Sequence, residues 1–176
     1  MKIIFFGSPG YSCIVIEKLI LLGYEVLALV TQNDKKGKRN LITKTPVSLF
    51  GEKNDIKIFS PSDLNDNEFI ESIKKLKPDL ILIYAYGKIL PETIISIPKY
   101  GCLNIHCSLL PKWRGAAPIQ RALLNNDKQT GVTFFKIDAK LDTGKIVSAY
   151  EYSILESDDS LILQNKLSNM AASKLD

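Results

Sequence analysis

Three side chains in the second half of the sequence could act together on a carbonyl group. His106, the chain's one histidine, follows Asn104 by two residues, and Asp142 lies in a Leu-Asp-Thr-Gly segment further on. An amide N–H can stabilise a developing oxyanion, and an imidazole can donate to that oxygen or accept a proton from an attacking amine. An aspartate beside the imidazole would fix its orientation and favour its charged form.

The Asn-x-His spacing also has an ordinary structural interpretation. Residues two apart on a strand share a face, so Asn104 and His106 point to one side while Ile105 and Cys107 point to the other. The first pair could be a core histidine and a strand-end asparagine that bond only to backbone. The Ser-Leu-Leu-Pro turn that follows favours a functional site. Pro111 holds Leu110 in an extended form, so the backbone groups of the turn face the same end of the strand as His106.

Alternating strands and helices must position these residues. Continuous apolar runs predict buried strands at 2–6, 25–31, 56–60, 79–86 and 102–109. Helical spacing predicts helices at 11–23, 47–53 and 65–75 (capped by Asp63 or Asn65), after Pro118, and from Ser157 or Asp158 onward. This order predicts an α/β fold with a mostly parallel, Rossmann-like sheet and helices on both faces. The segments 131–138 and 145–154 alternate and predict antiparallel strands at the C-terminal edge.

The position of the Asn-x-His segment agrees with that architecture. Ligands of open α/β sheets collect at the carboxyl ends of the strands, and His106 lies near the end of the fifth predicted strand. The first strand-to-helix turn, Gly-Ser-Pro-Gly, lacks the G-x-G-x-x-G spacing of dinucleotide-binding turns. A tight turn therefore explains its glycines better than a dinucleotide does.

The composition describes one globular domain in a reducing compartment. The 176 residues are 45% apolar and 24% charged, and three cysteines are too few for a disulfide framework or a metal cluster. No stretch approaches the ~20 apolar residues needed to span a bilayer. We therefore expect a cytoplasmic protein without a membrane segment. The net charge of +4, concentrated at 35–39, fits either a solvated surface or a polyanionic partner.

Four segments, in order, resemble the formyltransferase family that uses 10-formyltetrahydrofolate: AYGKILP (85–91), GCLNIHCSLLPKWRGAAPIQRALLNND (101–127), TGVTFFKID (130–138) and LDTG (141–144). Within it, LLPKWRGAAPIQRA is similar to the enzymes that act on methionyl-tRNA rather than on glycinamide ribonucleotide. The resemblance implies that residues 1–176 form one formyltransferase catalytic domain. The tRNA enzymes continue into an OB-like tRNA-binding domain, which we expect to be absent from this chain.

The resemblance implies a catalytic trio of Asn104, His106 and Asp142, and no metal. The substrate amine would attack the formyl carbon on N10 of the folate, and Asn104 and His106 would hold the oxyanion. Asp142 would set the charge and position of His106 through an ordered water. The co-substrate 10-formyltetrahydrofolate would contact Ser108, Leu109, Leu110 and Pro111, with its pterin near Tyr86, Gly87, Ile89, Leu90 and Asp138.

The basic segment gains a role from the same resemblance. In the tRNA enzymes a basic insertion after the second strand meets the acceptor stem, which implies this role for Lys35, Lys36, Lys38 and Arg39. Phosphate contacts of this kind give salt-dependent affinity and little sequence reading. Arg114 would either meet the end of the tRNA or form a structural salt bridge.

The implied function is formyl transfer to initiator methionyl-tRNA for translation initiation, by a chain that we expect to be monomeric. One alternative is a formyltransferase with another amine acceptor, such as an amino-sugar nucleotide or glycinamide ribonucleotide. The other is a non-catalytic remnant that binds folate or RNA.

Overall fold

The computed structural model of the chain describes residues 1–33, 35–36, 42–138 and 142–176. In chain order its elements are β1 (Lys2–Phe6), α1 (Gly10–Leu21), β2 (Glu25–Val30), β3 (Lys35–Lys36), β4 (Ile42–Thr43), α2 (Pro46–Lys53), β5 (Ile58–Phe59), α3 (Asn67–Leu76), β6 (Leu80–Tyr84), α4 (Glu92–Ile95), β7 (Cys102–His106), α5 (Pro118–Leu124), β8 (Gln129–Lys136), β9 (Ile146–Ser153) and α6 (Ser160–Ser173). In the described ranges, no helix combines the length and the apolar character that a membrane crossing requires.

Seven of the strands form one sheet in the order β5-β2-β1-β6-β7-β8-β9. The pairs from β5 through β7 are parallel, and β8 and β9 join antiparallel at one edge. This arrangement confirms the predicted α/β class and the predicted antiparallel edge. Its consequence is that β7 lies between a parallel neighbour and an antiparallel one, well inside the sheet.

Each face of the sheet carries its own apolar core. Along β1, Ile3 and Phe5 belong to one core, and Ile4 and Phe6 belong to the other. Helices α1, α2, α5 and α6 contribute to the first core, whereas α3 and α4 contribute to the second. Strands that are buried on both faces read as continuous apolar runs, which is why the sequence revealed them.

The strand that carries the candidate residues is shorter than predicted. It was expected to reach residue 109, but β7 ends at His106. Side-chain bonds turn the chain there: Thr133 Oγ1 donates to the Ser108 carbonyl at 2.6 Å, and Ser108 Oγ donates to the Lys112 carbonyl at 2.6 Å. Serine and threonine hydroxyls offer the backbone these partners in place of a strand ladder.

Two helix starts also differ from the prediction. Helix α3 is capped by Asp66, whose side chain accepts from Glu68 N at 3.0 Å, rather than by Asp63 or Asn65. Helix α6 begins at Ser160 with Asp159 as its cap. In both places several capping residue types stand in a row, so sequence spacing alone does not select one of them.

Candidate active site

A cleft of about 520 Å³ opens at the carboxyl ends of β6 and β7. This volume lies in the usual range for small-molecule sites. Its walls come from the segment after β6, the end of β7, the turn before α5 and the end of β8; they include Ala85, Gly87, Lys88, Asn104, His106, Gly115, Ala116, Gln120, Phe135, Ile137, Asp138 and Asp142. The structure therefore brings Asn104, His106 and Asp142 to one place, where the sheet topology predicted a ligand.

Asn104 presents an unused amide to this cleft. Its backbone pairs with Ile83 on one side and Phe135 on the other, so the strand direction is fixed from both sides. The side chain is half-buried, and it makes no hydrogen bond within the residues that the structure describes. A carboxamide in this state can donate to a ligand oxygen without first breaking a bond to the protein.

His106 is held by a backbone carbonyl. The residue is 6% exposed, and its Nε2 donates to the Trp113 carbonyl at 2.9 Å, which assigns the proton of the neutral ring to Nε2. Its ring also packs edge-on against Phe135. The other nitrogen, Nδ1, lies 3.9 Å from Asp142 Oδ2. Nδ1 is therefore the nitrogen that can gain and lose a proton.

Asp142 is fixed by the turn that faces it. Its Oδ2 accepts from the Gly115 N–H at 2.8 Å, and its side chain is 10% exposed. Because 3.9 Å exceeds a hydrogen bond, Asp142 acts on His106 through its charge, or through a bridging group, rather than by direct contact. An ionised carboxylate at this distance stabilises an imidazolium.

The backbone around the cleft is strained at three side-chain-bearing residues. Ala85, Trp113 and Asp142 have φ values of 55°, 57° and 50°. Non-glycine residues seldom adopt this region, and such strain collects at functional sites. Ala85 and Asp142 line the cleft, and the Trp113 carbonyl bonds to His106, so three of the six described non-glycine residues with positive φ lie in or beside the cleft.

The residues predicted to contact the pterin lie mostly in the segment after β6. Tyr86, Gly87, Ile89, Leu90 and Asp138 line the cleft. The Tyr86 carbonyl accepts from Gln32 Nε2 at 2.7 Å, and Gly87 has φ +79°, where a Cβ would lie 2.6 Å from that same amide. Burial raises the pKa of the Tyr86 phenol to about 12, and its hydroxyl has no partner among the described residues.

The Ser-Leu-Leu-Pro turn lies elsewhere. Ser108, Leu109, Leu110 and Pro111 are not among the residues that line the cleft. Their polar groups are used internally, since Ser108 Oγ bonds to the Lys112 carbonyl and the Leu110 N–H bonds to Thr133 Oγ1 at 3.1 Å. Their contact with the folate stays a prediction.

The predicted tRNA contacts divide into three groups. Arg114 is exposed, and it forms no ion pair or hydrogen bond with any described residue, so the predicted salt bridge is not present there. Lys35 and Lys36 form β3, which pairs with β4 in a small antiparallel ladder. Lys38 and Arg39 lie outside the described residues.

The residue after β7 packs into the apolar core and also lines the cleft. Cys107 is buried, and its sulfur lies 3.2 Å from the Tyr84 hydroxyl, which also bonds to Ser168 Oγ at 2.7 Å. Burial raises the pKa of the Cys107 thiol to about 11. Cys107 was expected to pack away from the site; it belongs to the apolar core with Ile105, but it also lines the cleft.

Two residues in the hydrogen-bond chain that begins at His106 were not predicted from the sequence. Trp113 supplies the carbonyl that holds the imidazole, and Asp127 holds the Trp113 indole at 2.7 Å. The basic and aromatic cluster at 112–114 was visible in the sequence. Its pairing with a residue 14 positions later was not, because side-chain contacts across a loop leave no periodic signal.

Comparison with known proteins identifies the family of this chain. Residues 1–175 match the family described as formyl transferase. The methionyl-tRNA formyltransferase of Caldanaerobacter subterraneus subsp. tengcongensis is 42% identical over 177 residues, which cover 99% of this chain and 57% of that protein. The methionyl-tRNA formyltransferase of Wolbachia pipientis subsp. Culex pipiens is 44% identical over 176 residues, which cover 99% of this chain and 59% of that protein. The chain thus spans little more than half the length of these relatives.

A solved structure shows the same fold at low identity. The phosphoribosylglycinamide formyltransferase from Bacillus halodurans superimposes with a TM-score of 0.83 at 22% identity, covering 99% of this chain and 91% of that one. At this identity the likeness concerns the fold alone. The match over 1–175 shows that the chain belongs to the formyl transferase family.

Proposed function

We propose that this chain is the catalytic domain of a methionyl-tRNA formyltransferase, which transfers a formyl group from 10-formyltetrahydrofolate to the amino group of initiator methionyl-tRNA. The observation that carries the proposal is the convergence of Asn104, His106 and Asp142 in one cleft, with the Asn104 amide unbonded among the described residues. The 42% and 44% identity to relatives with that name supports this acceptor. In the cell, this reaction would serve translation initiation in the cytoplasm.

The protein's residues divide the work of the transfer. When bound, the folate supplies the formyl carbon, which gains a bond to the amine nitrogen and loses its bond to N10. The Asn104 amide donates to the formyl oxygen as that oxygen gains negative charge. His106 accepts the proton that the amine loses, at Nδ1, and returns it to the leaving N10. Asp142 stabilises the imidazolium in between, at 3.9 Å.

The two substrates would enter from different sides of this group. The pterin would lie against the segment from Tyr86 to Leu90 and beside Asp138, where the walls combine apolar side chains with backbone polar groups. The exposed Arg114 and the basic segment 35–39 would contact tRNA phosphates. Ser108 to Pro111 would border the folate only if it extends beyond the cleft. We also propose that the chain acts as a monomer.

The direct test is formyl transfer from 10-formyltetrahydrofolate to charged initiator methionyl-tRNA at low salt. We expect transfer by the original chain and its loss in His106→Ala, with folate binding retained. Cys102→Ala is the matched control, because Cys102 lies at the other end of β7 and is not among the residues that line the cleft. Transfer to glycinamide ribonucleotide or an amino-sugar nucleotide instead would replace the acceptor in the proposal. An unchanged rate in His106→Ala would remove the assigned role of His106.

A further inference from the structure

A line of contacts leads from His106 to a carboxylate outside the cleft. His106 Nε2 donates to the Trp113 carbonyl at 2.9 Å, and the indole Nε1 of Trp113 donates to Asp127 Oδ2 at 2.7 Å. Asp127 follows α5 and is not among the residues that line the cleft. It therefore has no direct part in the proton transfers at His106.

Asp127 has the properties of a fixed anchor. Its side chain is 6% exposed, and it accepts from Lys112 Nζ at 2.8 Å and, through its other oxygen, from Asn125 Nδ2 at 2.7 Å. The Lys112 bond lowers the pKa of the Asp127 carboxyl to about 2, so it is ionised at neutral pH. A charged acceptor forms a stronger bond to an indole N–H than a neutral one does.

Trp113 needs such an anchor. Its φ of 57° is a conformation that a bulky side chain seldom adopts and that persists only where surrounding contacts hold it. The orientation of its carbonyl depends on that backbone angle. The Gly115 N–H, two residues on, is bonded to Asp142 Oδ2, so the segment 112–116 is tied to Asp127 at one end and to Asp142 at the other.

From this geometry we infer that Asp127 is a positioning residue for His106, acting through the indole and the carbonyl of Trp113. By holding the Trp113 carbonyl in place, Asp127 keeps the proton on Nε2 and leaves Nδ1 available for the reaction. The inference rests on the proposed function for its catalytic meaning. Its structural content, control of the His106 tautomer, can be measured without any turnover.

The first measurement is the ¹⁵N spectrum of the imidazole, which needs no assignment because the chain has one histidine. All variants are compared at the same pH. The original chain should show a single tautomer protonated at Nε2. Asp127→Ala and Trp113→Phe, which each remove the indole–carboxylate bond, should both give a mixture of tautomers. Asp127→Asn keeps an acceptor oxygen and should restore most of the original signal.

Asp158 provides a matched control. It is also a buried aspartate that pairs with a lysine and an aromatic side chain, through Lys166 at 2.6 Å and Tyr152 at 3.3 Å, and it is not among the residues that line the cleft. Asp158→Ala should leave the imidazole spectrum unchanged. A tautomer mixture in Asp158→Ala as well would trace the effect to general loosening and overturn the inference. An unchanged spectrum in Asp127→Ala would also overturn it.

Kinetics give the second measurement. Asp127→Ala and Trp113→Phe should each lower kcat by about 10- to 100-fold, with KM for the formyl donor nearly unchanged. The double variant should be no slower than either single one, because both act through the same bond. Losses that multiply in the double variant would contradict the relay. If the original chain shows no formyl transfer at all, the proposed function fails, while the spectra still decide the role of Asp127.

Discussion

The charge of Asp142 is the part of the site whose contribution can be isolated most cleanly. Asparagine tolerates a left-handed backbone, so Asp142→Asn should keep the φ of 50°. Its amide oxygen can still accept from the Gly115 N–H, which Asp142 does now at 2.8 Å. The substitution therefore removes the negative charge and little else.

The expected magnitude follows from the distance between Nδ1 of His106 and Oδ2 of Asp142. At 3.9 Å, two opposite unit charges attract by about 1 kcal/mol in a medium like water and by about 4 kcal/mol at an effective dielectric constant of 20. Both side chains are at most 10% exposed, which favours the upper part of that range. We therefore expect Asp142→Asn to lower kcat/KM by between about 10- and 1000-fold.

The assay is formyl transfer to methionyl-tRNA under single-turnover conditions, with Asp142→Ala measured alongside. Asp142→Ala loses the charge and also releases the Gly115 N–H, so it should be slower than Asp142→Asn. Folate binding should persist in Asp142→Asn. A rate within about twofold of the original in Asp142→Asn would refute the view that this charge stabilises an imidazolium.

Three further predictions concern stability and reactivity. A Cβ at Gly131 would lie 2.1 Å from a carbonyl of the neighbouring strand, so Gly131→Ala should lower the urea-derived free energy of unfolding by at least about 2 kcal/mol. Gly10→Ala is the control. The nearest atom to a Cβ at Gly10 is 3.8 Å away, so this substitution should change the free energy of unfolding little. With the pKa of Cys107 raised to about 11 by burial, and all three cysteines free, a thiol reagent at a pH of about 8 should react slowly with the native chain and should modify three thiols after unfolding. The folded-state pKa of Asp127, about 2, lies below its ordinary 3.8, so its stabilisation is complete above a pH of about 4 and is lost as the pH falls through about 2. Asp127→Asn should flatten this acid limb by on the order of 1 kcal/mol, a small amount because Lys112 is half-exposed.

Much of the fold could be predicted because its strands are buried on both faces. The apolar runs at 2–6, 25–31 and 79–86 contain β1, β2 and β6, and the alternation at 131–138 and 145–154 predicted β8 and β9. Three small elements were missed, although the equally short β5 lies within the strand predicted at 56–60. Helix α4 has four residues, and β3 and β4 have two residues each, which is too short for a periodic pattern to form.

The part of the candidate site that lies on β7 could be predicted from the sequence. The two-residue period of β7 predicted that Asn104 and His106 share a face, which agrees with Ile105 alone of the three lying in an apolar core, and the family resemblance joined Asp142 to them. What held these groups could not be read from spacing. The carbonyl that fixes the imidazole belongs to Trp113, a residue with positive φ, and its anchor comes from Asp127, after the next helix. Such contacts follow from tertiary packing.

The alternation of side chains along β7 gives the site freedom to diversify. Ile105 and Cys107 belong to the apolar core beneath α1 and α6 and also line the cleft, whereas Asn104 and His106 line the cleft and belong to neither apolar core. Substitutions at cleft residues outside the two cores can therefore alter what the cleft accepts with little effect on the packing that keeps the domain folded. At Ile105 and Cys107 the two demands are combined. A change of ligand preference at these two positions would therefore also change thermal stability.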